Sequence, residues 1–269
     1  MNRLPILAAL VLAASPPLFA QAPEADLCTR LEKEVPRLMR EGDVPGLSIA
    51  VLRDGRTVWT GALGVANPSG GARVTPDTVF QAASLSKPVF SYVVLRLADR
   101  GVIDLDRPLA AYLPHPRLKD ERARRITARM VLSHTTGLPN WEFGDGPIPL
   151  RFTPGESWGY SGEAFVYLQK VAEALTGLPL DDLARREVFE PLGMTRSNYV
   201  WKPAFEADAA AGVDESGAVR PTDRGQKANA AASLLTTAGD YARFLTAVLE
   251  GRGLKPETRR AWLDPQSQV

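Results

Sequence analysis

Cysteine and histidine are scarce in this sequence, and their scarcity limits the chemistry open to it. Cys28 is the only cysteine, so an internal disulfide is excluded. The chain has two histidines, His115 and His134, and a zinc site would need carboxylate ligands, for which no spacing stands out. We therefore expect neither a metal ion nor another cofactor.

Strong net charge and long apolar runs are lacking as well. The formal net charge of +1 gives no general attraction to nucleic acid or to acidic partners. A basic run over residues 117–129 is interrupted by Asp120 and Glu121, which favours a solvated loop and helix face over a binding patch. The sequence contains no phosphate-binding glycine loop and no His-Glu-x-x-His zinc motif. We therefore expect no nucleic-acid partner.

The N-terminus has the organisation of an export signal. Arg3 supplies a positive region, residues 4–14 an apolar stretch, and Ala20 a small residue at the expected cleavage point. The apolar stretch is too short to span a bilayer, and no later stretch qualifies. We predict a signal peptide over residues 1–20, followed by one secreted, periplasmic domain over residues 21–269 with no membrane span.

Apolar periodicity in the remaining chain predicts an α+β fold. Helical spacing of leucine and valine over residues 27–38 predicts a first helix, kinked at Pro36. Alternation over residues 47–51, the dipeptide Asp54-Gly55 and a second apolar stretch over residues 57–63 predict a β-hairpin. Further helices are predicted over residues 89–98, 164–175 and 238–249.

The stretch Ser84-Leu85-Ser86-Lys87 places a hydroxyl nucleophile and a candidate base three residues apart. Residues at i and i+3 lie on one helix face, so the Ser84 and Lys87 side chains can meet. Pro88 has no N–H and is best tolerated in the first turn of a helix, which places Ser84 at or beside a helix N-terminus. Free N–H groups there favour negative charge on the serine oxygen. About one such match is expected by chance in a chain of this length, so its context decides its meaning.

Further segments accompany this motif in a fixed order. They are residues 126–139, Pro154-Gly155-Glu156, Tyr160-Ser161-Gly162, residues 190–194 and residues 233–240. In this order the segments resemble the serine hydrolases of the class C β-lactamase, DD-peptidase and related esterase superfamily, from about Leu31 to Leu249. The resemblance implies a β-lactamase/transpeptidase-like fold, with an antiparallel sheet, flanking helices and an all-helical lobe.

The residues and the resemblance together indicate acyl transfer through a covalent intermediate on Ser84. Lys87 is the candidate base, provided that burial or a neighbour favours its neutral form. Tyr160 is the candidate proton carrier between Ser84, Lys87 and the leaving group, the alternative being a packed loop aromatic. Trp158 either lines the pocket or packs in the interior. His134 could form a triad with Ser84, but the resemblance implies a structural loop role.

Two departures from the family pattern affect the expected activity. Many class C relatives carry Tyr-x-Asn, whereas Gly162 stands here at the amide position and cannot grip a substrate amide. This weakens the antibiotic-hydrolysing interpretation and leaves esterase or peptide amidase chemistry open. A Lys-Thr-Gly or His-x-Gly strand, which the relatives place later, does not occur before Val269. We therefore expect a sheet without its C-terminal strands, in a fragment or in a naturally shortened member.

Two functions remain open from the sequence. The first is a periplasmic serine hydrolase acting on a β-lactam, a D-amino-acid peptide or an ester. The second is a catalytically impaired relative that binds cell-wall-like ligands without turnover. Either would take a small-molecule or peptide ligand, and the sequence leaves the oligomeric state open.

Overall fold

The structure is a computed structural model and describes residues 24–220 and 222–266. The predicted signal peptide lies outside the described residues, and the division into signal and single domain stays a prediction. The helices are α1 (Glu24–Glu41), α2 (Ser86–Asp99), α3 (Ala128–Leu132), α4 (Gly162–Thr176), α5 (Leu180–Ala184), α6 (Glu190–Leu192), α7 (Ala238–Glu250) and α8 (Pro256–Leu263). The strands are β1 (Gly46–Arg53), β2 (Arg56–Asn67), β3 (Ala72–Arg73), β4 (Phe80–Ala83), β5 (Gly212–Val213), β6 (Val219–Arg220) and β7 (Leu234–Thr236).

Shorter helical turns connect these elements. Arg185–Phe189 is a π-helical turn that joins α5 to α6, and three 3₁₀ turns span Leu109–Ala111, Glu121–Arg125 and Pro203–Phe205. The turn Glu121–Arg125 lies within the basic run, where Arg122 pairs with Asp120 and Arg124 with Glu121 at the surface. The exposed side chains agree with the solvated loop and helix face that the sequence predicted, and their pairing with neighbouring carboxylates is a finding of the structure.

The predicted β-hairpin is confirmed. β1 and β2 pair antiparallel from Gly46 opposite Gly64 to Arg53 opposite Arg56. Asp54 and Gly55 both have positive φ, 50° and 73°, as the two central residues of a type I′ turn require. Among the described residues the strand order is β1-β2-β3, so the second edge of β1 carries no strand.

The predicted helices are present, and each is somewhat longer than its apolar pattern. The first, α1, continues past Pro36 to Glu41. Cys28 of this helix lies with its Sγ 3.6 Å from the carbonyl oxygen of Val58 in β2, a half-buried thiol at the contact between helix and sheet. None of the helices in the described part of the chain combines the length and the apolar character that a bilayer span needs.

The main core surrounds α2, because this helix is apolar on all sides. Val89, Phe90, Val93 and Val94 are fully buried there, and Phe90 meets Phe165 of α4 edge-on with ring centroids 6.4 Å apart. The sheets and helices confirm the α+β class, with the hairpin sheet to one side and the α2–α4 core as the helical lobe. α2 therefore provides a rigid base for the residues at its N-terminus.

Candidate active site

Ser84 lies on a sharp turn between β4 and α2. β4 pairs antiparallel with β7, and the chain leaves β4 at Ala83 with φ of +43°, a strained conformation for a residue other than glycine. Leu85 then precedes the first residue of α2, and Pro88 falls in the first turn, as predicted. Ser84 is exposed at this turn, so its hydroxyl is open to an approaching substrate.

Lys87 is buried directly behind the serine. Its side chain is 4% exposed, and its Nζ lies 3.2 Å from Ser84 Oγ and 2.8 Å from the Ala231 carbonyl oxygen. The Nζ also lies 4.6 Å from the centre of the Tyr160 ring. Within residues 24–220 and 222–266 no carboxylate lies within ion-pairing distance of this amine. The amine is thus directed at Ser84 by a carbonyl and aromatic rings rather than by a counter-ion.

Tyr160 completes the group that the sequence predicted. Burial raises the pKa of Tyr160, but hydrogen bonds with Lys87 and Ser84 and the Lys87 charge outweigh it, so the pKa lies below its ordinary value. The next residue, Ser161, caps α4 by accepting from the Ala164 N–H at 3.0 Å. Its hydroxyl also donates to the Pro139 carbonyl at 2.8 Å, which fixes the backbone beside Tyr160. The structure therefore brings Ser84, Lys87 and Tyr160 together, and their catalytic roles stay predictions.

His134 supports Tyr160 rather than Ser84. The two rings stack with centroids 4.5 Å apart and planes 27° from parallel. The His134 Nδ1 accepts from the Ser161 N–H at 3.1 Å. Burial and, to a smaller extent, the Lys87 charge lower the pKa of His134 to about 4, so the ring is neutral near pH 7. The sequence placed this histidine in a structural loop but gave no sign of its stacking on Tyr160.

Trp158 is not buried in the interior, and the cavity that it lines is not bordered by Ser84, Lys87 or Tyr160. Its ring meets the His134 ring edge-on, with centroids 6.2 Å apart. About half of the side chain is exposed, and it lines a cavity of about 310 Å³ together with Met130 and Thr135. Trp158 therefore packs against His134, the ring on which Tyr160 is stacked, and also forms part of a surface cavity.

Neighbouring serines are less suited to attack a substrate. Ser86 is fully buried, where it donates to the Ala83 carbonyl and accepts from the Leu234 N–H, tying the turn to β7. Ser157 lies in a Gly-x-Ser-x-Gly segment, residues 155–159, which the sequence analysis did not single out. That segment is a loop with no strand before it, and α4 begins only at Gly162, so it lacks the strand-to-helix turn of a nucleophile elbow.

Gly162 is closed to any side chain by its neighbours. Its N–H donates to the Asn140 carbonyl oxygen at 3.0 Å. A Cβ on Gly162 would lie 2.7 Å from Trp141 Cη2 and 2.8 Å from the Asn140 carbonyl oxygen. Trp141 therefore occupies the space that an asparagine side chain at position 162 would need. No motif in the sequence pointed to this residue.

An open groove borders the nucleophile turn on the sheet side. It has a volume of about 410 Å³ and lies between the β1 edge and α7. Its lining includes Ser48 and Ile49 of β1, Leu85 next to the nucleophile, and Tyr241 of α7. Over the described ranges, no three His, Cys, Asp or Glu side chains converge to hold a metal ion.

Comparisons with known proteins agree with this geometry. The model of the Beta-lactamase family matches residues 31–268. Over 206 residues the chain is 32% identical to Esterase EstB of Burkholderia gladioli, covering 65% of this chain and 52% of that protein. Over 245 residues it is 31% identical to Penicillin-binding protein 4 of Amycolatopsis lactamdurans, covering 83% of this chain and 64% of that protein.

Among solved structures, the D-alanine carboxypeptidase AmpC of Burkholderia cenocepacia matches with a TM-score of 0.74 and 25% identity, covering 89% of this chain and 68% of that chain. The chain spans about half to two thirds of the length of the two curated relatives. The resemblance and the fold expected from the sequence are confirmed. The chain thus belongs to the Beta-lactamase family, among relatives named as an esterase and a penicillin-binding protein.

Proposed function

We propose that this protein is a serine hydrolase that forms an acyl-enzyme on Ser84. The observation that carries the proposal is the convergence of an exposed hydroxyl, a buried amine 3.2 Å away and the ring of Tyr160, whose centre lies 4.6 Å from that amine. A nucleophile and a base within hydrogen-bond reach, with the base held by a third group, are the requirements of covalent catalysis. The Ala231 carbonyl and the Tyr160 ring provide that third element by orienting Lys87.

The proposed reaction has two steps. Ser84 Oγ attacks the substrate carbonyl and loses its proton to Lys87 or Tyr160, and the Ser84 N–H beside the helix N-terminus stabilises the developing oxyanion. The leaving group departs with a proton returned through Tyr160, which leaves an ester of Ser84. Water then attacks this ester, gives one proton to the same pair, and releases the acid with regeneration of the Ser84 hydroxyl.

Short-chain aryl esters are the proposed substrates, in preference to penicillins, cephalosporins and D-amino-acid peptides. Gly162 offers no amide for the side chain of a β-lactam or a peptide, and Trp141 occupies the space beside it. The relation to a protein named as an esterase supports the same preference. Hydrolysis of a chromogenic cephalosporin as fast as that of p-nitrophenyl acetate would contradict it.

Covalent labelling tests the nucleophile directly. A fluorescent fluorophosphonate should label the protein, tandem mass spectrometry should place the adduct on Ser84, and Ser84→Ala should abolish the label. An adduct on Ser86, Ser133 or Ser157 instead would refute the assignment. Ser69→Ala is the control, since it removes a hydroxyl at an exposed position in the loop after β2 and leaves the Ser84 turn untouched.

A binding protein without turnover is the second candidate function. The observation that favours it is that, among the described residues, the second edge of β1 beside the Ser84 groove carries no strand that could supply a further oxyanion N–H. Both candidates allow Ser84 to be acylated, but only the hydrolase releases the acid. Repeated turnover of p-nitrophenyl acetate supports the first, whereas a single stoichiometric burst followed by a stable acyl adduct supports the second.

We propose in addition that the protein is exported to the periplasm by residues 1–20. The support is the arrangement of Arg3, the apolar stretch and Ala20. The intact mass of protein recovered from a periplasmic fraction should correspond to a chain that begins at Gln21. Recovery of the uncleaved chain in the cytoplasm would contradict the proposal.

A further inference from the structure

We infer that Trp141 determines which acyl groups the site accepts. It favours esters of apolar and aromatic acids over esters that carry an amide beside the reacting carbonyl. The inference rests on the proposed hydrolase function of Ser84 and adds a residue that selects among its substrates.

The backbone between Tyr160 and Gly162 determines where a side chain at position 162 would point. Ser161 between them has φ of −140° and ψ of 120°, an extended conformation. In an extended chain, residues two apart project to the same side. The Tyr160 ring lies against Lys87, with its centre 4.6 Å from Lys87 Nζ. A side chain at position 162 would therefore project to the same side of the backbone as Tyr160, toward the proposed catalytic residues.

The indole of Trp141 fills that place. Its Cη2 and Cζ2 atoms lie 2.7 and 2.8 Å from the position of a Cβ on Gly162. These two atoms belong to the six-membered ring, far from the indole N–H, so the ring presents apolar carbon to the side of Gly162. Trp141 is only partly buried, so the ring also meets solvent.

Residues on either side of Trp141 hold the ring in place. The Asn140 carbonyl accepts from the N–H groups of Gly162 and Glu163 at 3.0 Å each. The Glu142 N–H donates to Glu163 Oε1, also at 3.0 Å. Both neighbours of Trp141 are thus bonded to the start of α4. These bonds restrain the loop, so the ring forms a rigid wall, and little conformational entropy of the loop is lost when a ligand contacts it.

The chemistry of this wall determines the preferred acyl group. An aromatic or alkyl acyl chain loses only apolar hydration when it packs on indole carbons. An amide placed on the same carbons loses hydrogen bonds to water and gains none in return. The wall therefore selects by the polarity of the acyl group and leaves the leaving group unaffected.

Two p-nitrophenyl esters with the same leaving group test this selection. One carries phenylacetate and the other N-acetylglycine, and the measured quantity is the ratio of their kcat/KM values. Trp141→Ala should reduce the preference for phenylacetate about tenfold, as expected for removing a hydrophobic contact in the transition state. Trp141→Phe, with a shorter ring, should reduce it by about threefold.

Phe143→Ala is the matched control, because Phe143 lies two residues further along the same loop and is 88% exposed. It should leave the ratio within about twofold of the unaltered protein. An unchanged ratio in Trp141→Ala, with fluorophosphonate labelling of Ser84 intact, would overturn the role of Trp141 and leave the hydrolase standing. Absence of labelling in the unaltered protein would overturn both. Should Trp141→Ala melt below the assay temperature, the Trp141→Phe ratio decides by the same criterion.

Discussion

The two sides of the Ser84 turn are built differently. On the helical side Lys87 is buried, Tyr160 is stacked on His134, and Ser161 is bonded in three directions. On the sheet side lie the open edge of β1 and a groove of about 410 Å³. The comparison indicates that Lys87 and Tyr160, the proposed proton-transfer groups, are held in place without contacts from the hairpin sheet. Substitutions on the helical side should therefore change the chemistry, and substitutions elsewhere should change selectivity or stability.

Lys87→Ala should have the largest effect, because it removes the amine 3.2 Å from Ser84 Oγ. We expect fluorophosphonate labelling of Ser84 to slow by about 10³-fold, as for loss of an activating base. Time-resolved gel fluorescence measures the rate, and circular dichroism checks folding. Lys119→Ala, at an exposed lysine, is the control. If Lys87→Ala is labelled at the same rate as the unaltered protein, the helical side of the Ser84 turn does not activate the serine, and the contrast between the two sides is wrong.

Tyr160→Phe should have the next largest effect. It keeps the ring that stacks on His134 and lies against Lys87, and it removes only the hydroxyl, the proposed proton carrier. We expect kcat for p-nitrophenyl acetate to fall about 10²-fold with little change in KM, as for loss of a proton carrier. Steady-state kinetics provides both values. If kcat of Tyr160→Phe equals that of the unaltered protein, Tyr160 is a packing residue and Lys87 carries out the proton transfer.

Stability should fall as the pH drops from about 6.5 to 4, and the helical side should account for the fall. Burial lowers the pKa of His134 and of His115 to about 4 from an ordinary value of 6.5. The unfolded chain then binds more protons in this window, so the stabilisation is complete above pH 6.5 and is lost toward pH 4. We expect a loss of about 2 kcal/mol per histidine, allowing for their partial exposure.

Urea unfolding at a series of pH values measures this loss. His134→Asn should reduce the pH dependence by about half, because one of the two shifted histidines is gone. Asparagine tolerates the left-handed backbone that His134 adopts at φ of 57°. A free energy of unfolding that is constant between pH 7 and 4 would contradict the assignment of neutral, buried rings.

Gly162→Ala should have the smallest effect of the four, a loss of about 1–3 kcal/mol of stability from overpacking. The added Cβ would meet the ring of Trp141 and the Asn140 carbonyl oxygen below 3.0 Å. Gly146→Ala is the matched control, because a Cβ there meets nothing within 4 Å. Equal melting temperatures for the two variants would show that the Trp141 loop yields easily and is not the rigid wall described above.

Local sequence signals were sufficient where the physics is local. The spacing of Ser84 and Lys87, the proline in the first turn of α2 and the Asp54-Gly55 turn are each decided within a few residues, and the structure has them as expected. Tyr160 was found through its place in an ordered set of motifs. The α+β class followed from the alternation of two periodicities.

Contacts between distant segments left no such signal. β4 and β7 are four and three residues long, and strands this short show no detectable alternation of apolar residues. They also pair across about 150 positions of the sequence. The stacking of His134 on Tyr160 and the packing of Trp141 on Gly162 depend on how two loops meet at α4. No residue type by itself implies either contact, so both required the structure.

The lone thiol between α1 and β2 offers a way to monitor the hairpin side independently. Because Cys28 is the only cysteine and lies against the Val58 carbonyl, a thiol reagent can reach it fully only when α1 lifts from the sheet. Its modification rate in mild urea reports this local opening, while the fluorescence of a Trp59→Phe variant, which lacks the tryptophan of β2, follows the rest of the molecule. Comparing the two transitions measures whether the sheet and the lobe unfold as one cooperative unit.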